Sequence, residues 1–331
     1  MKEIAASEWH LDAEHWPALL VRVRQETDND YVAFRQNLTP RFAVVWRDIA
    51  LGYAALALTL WLTSIVSGWL AGAIAAVGGA IAVGGGIAYL QLFIHEAAHF
   101  NLASAKSKSD RLANIFIAWQ VGTSIAAYRR IHFDHHRHLG QEGDGERSYA
   151  CRLSWRFVAE MLTGVHALRV FIARANVKTT PSTSKNPAQG SAMPSLIRGV
   201  AMHAALLGFL AWQGAWVSVA AWVLGVGAVF PLFATIRPLL EHRPTGTDAR
   251  ILPGSGDAVT RLFDDGLLAQ VVGGAGFNRH LLHHWEPQIS YTRLADLDRY
   301  LAQTSIGNIM EARRTTYVRA FLDILEHDRD R

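Results

Sequence analysis

Between Ile49 and Ile94 the chain carries no aspartate, glutamate, lysine, arginine or histidine. A helix rises about 1.5 Å per residue and a hydrocarbon core is about 30 Å thick, so the run is long enough for two crossings. Ser67, Gly68 and Gly72 near its middle supply a turn, which predicts a hairpin of spans at about 49–68 and 72–94. A second weakly polar run, Gly199 to Ile236, has His203 as its only ionisable residue and breaks near Gln213 and Gly214. It predicts a second hairpin, with spans at about 197–213 and 216–237. Trp46, Trp69, Trp212 and Trp216 fall near the predicted ends, where amphipathic rings favour the interface, although core packing would place them there too.

Composition agrees with this reading. Only 18% of residues are charged, and eleven tryptophans and twenty-seven glycines lean away from a soluble enzyme. The net charge of +4 comes from basic residues that flank the apolar runs rather than forming a stripe interleaved with aromatics. A membrane surface is therefore the expected partner, and nucleic acid is not. Arg41, Arg47, Lys106, Lys108, Arg111, Arg198 and Arg237 lie outside the hairpins, and neither hairpin turn carries a charge, so both termini are expected on the cytoplasmic side. Glu3, Glu8, Asp12 and Glu14 interrupt the start of the chain, which does not read as a secretory signal. Cys151 is the only cysteine, excluding an intramolecular disulfide, a four-cysteine zinc or iron–sulfur site and a fused rubredoxin-like carrier. Any metal must be held by nitrogen and oxygen. The stretch "RLANIFIAWQVGTSIAAYRR" is amphipathic and suits the membrane face, while "KTTPSTSKNPAQGSAMPS" reads as a mobile linker, with a lid the less favoured alternative.

The histidines are not scattered. His95 and His99 stand four apart in "HEAAH", so both project from one helical face. His132, His135 and His136 in "HFDHH" repeat at i, i+3, i+4, and His280, His283 and His284 in "HLLHH" do the same. His242 ends the fourth predicted span in "RPLLEH". The predicted topology puts all nine on one side of the membrane. Nine ligands exceed the four or so that one zinc takes, and imidazole also suits iron, so two metals are implied. Glu96, Asp134, Glu241 and Glu286 sit beside these histidines and are candidates to accept their second N–H groups, the alternative being ordinary surface carboxylates. His10, His15, His166, His203 and His327 show no pattern, and His138 reads as solvent-exposed, assistance to the second box being its alternative.

The three boxes resemble those of the membrane fatty acid desaturase family, whose forms are HxxxH, HxxHH and HxxHH. The context "GFNRHLLHHWEP" and the extra histidine of "RPLLEH" extend the likeness, which covers about residues 45–300. The resemblance implies an all-α integral membrane protein of four helices in two hairpins, with a cytoplasmic helical cap holding a histidine-rich di-iron site. It sets a cytoplasmic segment at 1–44, the membrane domain at 45–300 and a cytoplasmic C-terminal helix at 301–331. The implied ligands of two iron ions are His95, His99, His132, His135, His136, His242, His280, His283 and His284. O2 is the implied co-substrate, acting on a fatty acyl or other lipid-like chain, and electrons come from a separate ferredoxin- or cytochrome-b5-like donor with its reductase. Desaturation is the leading expectation, with hydroxylation by the same site as its neighbour, because the positioning that separates them is not written in sequence. Two departures leave substrate and donor open: "HLGQEGDGE" only loosely resembles the family's Asp-Pro region, and neither end reads as a cytochrome-b5-like heme motif.

Two readings from other classes stand beside this one. "HEAAH" also fits HExxH, a zinc-protease helix with Glu96 as general base, but such a site leaves six histidines unexplained. A metal transporter would place polar ligands within its spans, where only His203 lies. The glycines at 78, 79 and 84–86 suit either a substrate slot or, preferably, close helix packing, and Pro231 predicts a kink in the fourth span.

Overall fold

The computed structural model describes residues 16–141, 144–165, 168–169, 193–243 and 260–329. The linker-like stretch up to Ala192, together with His10, His15 and His166, lies outside them. Among the described residues the chain is helical apart from one two-residue parallel pairing, Leu262 with Arg314 and Phe263 with Thr315. The helices named below are α1 (Trp16–Glu26), α2 (Asp30–Gln36), α3 (Phe42–Ser64), α4 (Trp69–Ala98), α5 (Lys106–Phe116), α6 (Ile125–His138) and α7 (Met193–Trp212). They continue with α8 (Trp216–His242), α9 (His280–Trp285), α10 (Tyr291–Leu301) and α11 (Tyr317–Arg329). Helices α3, α4, α7 and α8 are each long and apolar enough to cross a membrane. They form two hairpins, turned at Gly68 and Gly214, both with positive φ. Gly72 is already inside α4, its N–H bonded to the Gly68 carbonyl at 2.8 Å.

The chain divides into two units that interleave along the sequence. The spanning unit comprises Val45–Arg130 and Arg152–Arg237, and the histidine-rich unit comprises Met1–Val44, Ile131–Cys151 and Pro238–Arg331.

Within the spanning unit, small residues let helices approach. A Cβ on Gly84 would stand 2.6 Å from the Val229 Cβ, and one on Gly225 would stand 2.7 Å from the Val83 Cβ, so α4 and α8 touch through glycine. Gly79 and Gly86 are packed in the same way, against Thr63 with Ala221 and against Leu56, while Gly78 faces open space. Close packing thus accounts for Gly79, Gly84 and Gly86. The irregularity expected at Pro231 sits just ahead of it, as a π turn at Gly225–Val229. Proline lacks an N–H and its ring crowds the carbonyl four residues back, which lies within that wide turn. Some polar groups in this unit bond to one another: the Thr63 and Ser218 hydroxyls meet at 2.8 Å. The Trp222 indole N–H donates to His203 Nδ1 at 3.1 Å, so His203 carries its proton on Nε2, facing the Gln120 carbonyl at 3.0 Å.

The histidine-rich unit has an ordinary apolar core. Trp16, Leu19, Val23 and Tyr31 of α1 and α2 pack with Leu281, Leu282 and Trp285 of α9 and with Leu294, Leu297 and Leu301 of α10. Trp16 and Trp285 stack at 5.0 Å and 6°. That core is what holds α9, which at six residues is too short to be stable alone.

Candidate metal centre

Helix α9 shows why the third box works. Its six residues are all buried. Leu281, Leu282 and Trp285 enter the core, which leaves His280, His283 and His284 on the remaining face at the i, i+3, i+4 spacing. The Leu281 N–H donates to the Arg261 carbonyl and the Arg261 N–H to the Glu241 carbonyl, each at 3.1 Å. Arg261 also covers the end of α8, its guanidinium donating to the Leu240 carbonyl at 2.9 Å and the Arg243 carbonyl at 2.6 Å. These are carbonyls that a helix end leaves without intrahelical partners. One arginine thereby fixes His242 beside the third box.

The ring nitrogens converge at two places. His136 Nε2 lies 3.0 Å from His132 Nε2 and 3.1 Å from His283 Nε2. His280 Nε2 lies 2.9 Å from His242 Nε2 and 3.2 Å from His284 Nε2. His135 joins this second focus, since His135, His242 and His284 each offer a ligand atom within 4.8 Å of the others. Glu241 brings a carboxylate there, 3.6 Å from His280 Nε2. An imidazole nitrogen has one proton or one lone pair, so neither His136 nor His280 can satisfy two facing nitrogens by hydrogen bonding. A shared cation can. With a metal–nitrogen bond of about 2.1 Å, ligands at 90–109° stand about 3.0–3.4 Å apart, close to the 2.9–3.2 Å found between these atoms.

The outer nitrogens of His135 and His242 are held as a metal site requires. His135 Nδ1 meets the Asp144 carboxylate at 2.9 Å, and Asp144 in turn accepts the Tyr149 hydroxyl at 2.6 Å and the Glu146 N–H at 2.8 Å. His242 Nδ1 meets the Thr260 hydroxyl at 3.3 Å. Such partners fix the tautomer and aim Nε2 inward. Burial, with the neighbouring histidines adding to it, holds His284 well below its ordinary value of 6.5, so its lone pair is available at neutral pH. Burial alone would lower His135 too, but the Asp144 hydrogen bond and the charges of Glu146, Asp144 and Glu241 outweigh it and raise the pKa.

In the spanning unit His95 and His99 are buried near the end of α4, their rings 5.3 Å apart. Arg129 secures that end: its guanidinium donates to the Ala98 carbonyl at 2.7 Å and the Ala97 carbonyl at 3.0 Å, and pairs with Asp110. It also stands over the Phe100 ring at 3.8 Å.

The four carboxylates singled out in the sequence take different places. Glu241 lies at the second focus. Glu96 is buried, with one oxygen 3.7 Å from His95 Nδ1 and the other accepting from Asn101 at 3.2 Å. Glu286 accepts from Tyr31 at 2.9 Å and Arg35 at 2.7 Å, which ties α2 to the end of the third box. Asp134 is exposed and pairs with Arg137 at 3.1 Å. It sits between the box histidines on the helix, so its side chain leaves by another face. Sequence reasoning missed Asp144, Thr260, Arg261 and Arg129. Only Asp144 had a local signal, an acidic residue within "HLGQEGDGE" soon after the second box.

The fatty acid desaturase family model matches residues 67–308, a stretch that takes in all three boxes and His242. No individually curated protein matches the chain.

Proposed function

From the premise that the chain belongs to the fatty acid desaturase family, we propose that it oxidises an unactivated C–H bond in a fatty acyl or other lipid-like chain, desaturation being its main outcome. Two iron ions and O2 are the proposed cofactor and co-substrate, with electrons from a separate ferredoxin- or cytochrome-b5-like donor. Bound iron would supply what no side chain can, the reduction of O2 and the removal of hydrogen from a saturated carbon. The observation that carries this reading is the pair of nitrogen foci about His136 and His280.

The proposed ligands are His95, His99, His132, His135, His136, His242, His280, His283 and His284, with Glu241, 3.6 Å from His280 Nε2, close enough to join them. Asp144 keeps the His135 proton on Nδ1 and so its Nε2 free to bind. Charge asymmetry about the hairpins supports a cytoplasmic site and cytoplasmic termini. Hydroxylation remains the neighbouring outcome, decided by where the chain is held relative to the metals. A one-zinc protease built on His95 and His99 would leave the other gathered histidines without use. Against a transporter, His203, which lies within α7 away from the helix ends where His95 and His242 sit, is engaged by Trp222 and Gln120.

The test is metal analysis of the purified, active chain together with product analysis. Two irons per chain, O2 consumption with reductant and an alkene product support the proposal. A single zinc with peptide cleavage would sink it, and an alcohol product would transfer it to hydroxylation.

A further inference from the structure

In the spanning unit, Trp46, Ile49, Ala50 and Tyr53 form one face of α3 at the spacing i, i+3, i+4, i+7. Leu112 and Phe116 face them from α5, one helical turn apart, and the six residues line a groove of about 360 Å³. That volume lies in the range of about 300–1,000 Å³ typical of sites for organic ligands. Its polar handles are turned away: the Trp46 indole N–H donates to the Leu102 carbonyl at 3.0 Å, and the Tyr53 hydroxyl to the Phe116 carbonyl. The ring faces and aliphatic groups that remain offer a ligand apolar contact alone.

The rim is basic. Lys108 stands one turn before Leu112 on the same face of α5, and Arg111 lies three residues beyond it. Both are exposed and neither forms an ion pair among the described residues. The nearby acids are already matched, Asp110 by Arg129 at 3.0 Å and Asp48 by Arg47 at 2.7 Å. Ile115 and Phe116, about half exposed, continue the apolar side of α5 below these charges. A helix basic at one end, apolar at the other and set against the first turns of a membrane-length helix has the chemistry of a headgroup site above an acyl slot.

We propose that this groove binds one acyl chain of an anionic phospholipid, with Lys108 and Arg111 meeting its phosphate. The site uses only spanning-unit residues and no metal ligand, so it stands or falls apart from the oxidation chemistry.

The test reconstitutes the full chain in nanodiscs with photoactivatable phosphatidylglycerol or phosphatidylcholine of identical acyl chains and maps the labelled peptides. Phosphatidylglycerol is expected to label the peptides holding residues 46–53 and 112–116 in preference. Removing a basic group near an anionic headgroup costs about 1 kcal/mol, a factor of about five. The double variant Lys108→Glu with Arg111→Glu should therefore lower the preference at least about fivefold. Ala50→Trp should abolish labelling there by either lipid. Both variants should elute and melt as the parent does, since two of the positions are on the surface and the third faces an open groove. Equal labelling by the two lipids, or an unchanged preference in the double variant, would overturn the proposal. So would displacement of the label by a soluble fatty acid, which would make the groove a substrate site instead.

Discussion

In the spanning unit many large apolar side chains on the long helices point outward, with Trp69 at 85% and Ile74 at 67% exposure, while Ser218 is fully buried against Thr63. The core of the histidine-rich unit is built the other way: Leu281, Leu282 and Leu297 are fully buried, and charged residues such as Arg299 and Glu311 lie at the surface, although Leu267 and Val271 are exposed there too. Water would penalise the first arrangement, because each exposed apolar side chain loses the roughly 1.5–3 kcal/mol that burial provides. Lipid removes that penalty and leaves close packing and internal hydrogen bonds to hold the helices together. The two units therefore answer to different solvents, and a substitution should act through different terms in each.

The largest expected effect lies in the histidine-rich unit. His283→Ala removes a nitrogen from the focus about His136 and should abolish oxidation while leaving membrane insertion intact. Iron content and product yield measured on the membrane fraction check this, and a normal product yield would reject the ligand role. Asp144→Asn should be milder, lowering metal affinity or activity about 10–100-fold, because the ring it orients remains. Metal titration followed spectroscopically distinguishes this from a folding defect.

Acidification should sharpen the contrast. His284 is held neutral in the fold and takes up a proton more readily once unfolded, so below about pH 6.5 the unfolded state binds more protons. Stability of the chelator-stripped chain should then fall with pH by at most about 1.4 kcal/mol per unit. His135 acts in the opposite sense, since its raised pKa favours the fold at low pH and that contribution fades as pH rises through it. Thermal melts of the parent and of His284→Ala across pH 5–7 check this: the fall in stability on acidification should be smaller in the variant, which lacks the group held neutral in the fold. A flat profile would mean that the site is not sealed from water. The smallest effect belongs to the spanning unit: Ser218→Ala removes the bond to Thr63 and should cost only about 0.6 kcal/mol in detergent melts.

What could be read from sequence was whatever depends on near neighbours. The helical period places His280, His283 and His284 on one face whatever surrounds them, and an uncharged run announces its solvent by length alone. Asp134 shows the limit of such reading. It is next to His135 in the chain yet lies on another face, paired with Arg137, while Asp144, nine residues away, holds the ring. Glu286 likewise follows the third box directly but serves Tyr31 and Arg35, more than two hundred residues distant. Gly84 illustrates the same point among the spans. Its composition suited a slot or a contact, and only the position of Val229 decided for contact.

By itself, then, the amino-acid order determined the helical class, the two apolar hairpins, the family likeness and the histidines that share a face, because each follows from spacing along one helix or from the solvent a run of side chains tolerates. Tertiary structure alone decided that the nitrogens of the histidine-rich unit gather about His136 and His280, that Asp144 and Thr260 steady their outer atoms, and that Arg261 locks His242 beside the third box. Those contacts join residues from distant stretches of chain, and their distances are fixed by how a core packs, which local periodicity does not encode.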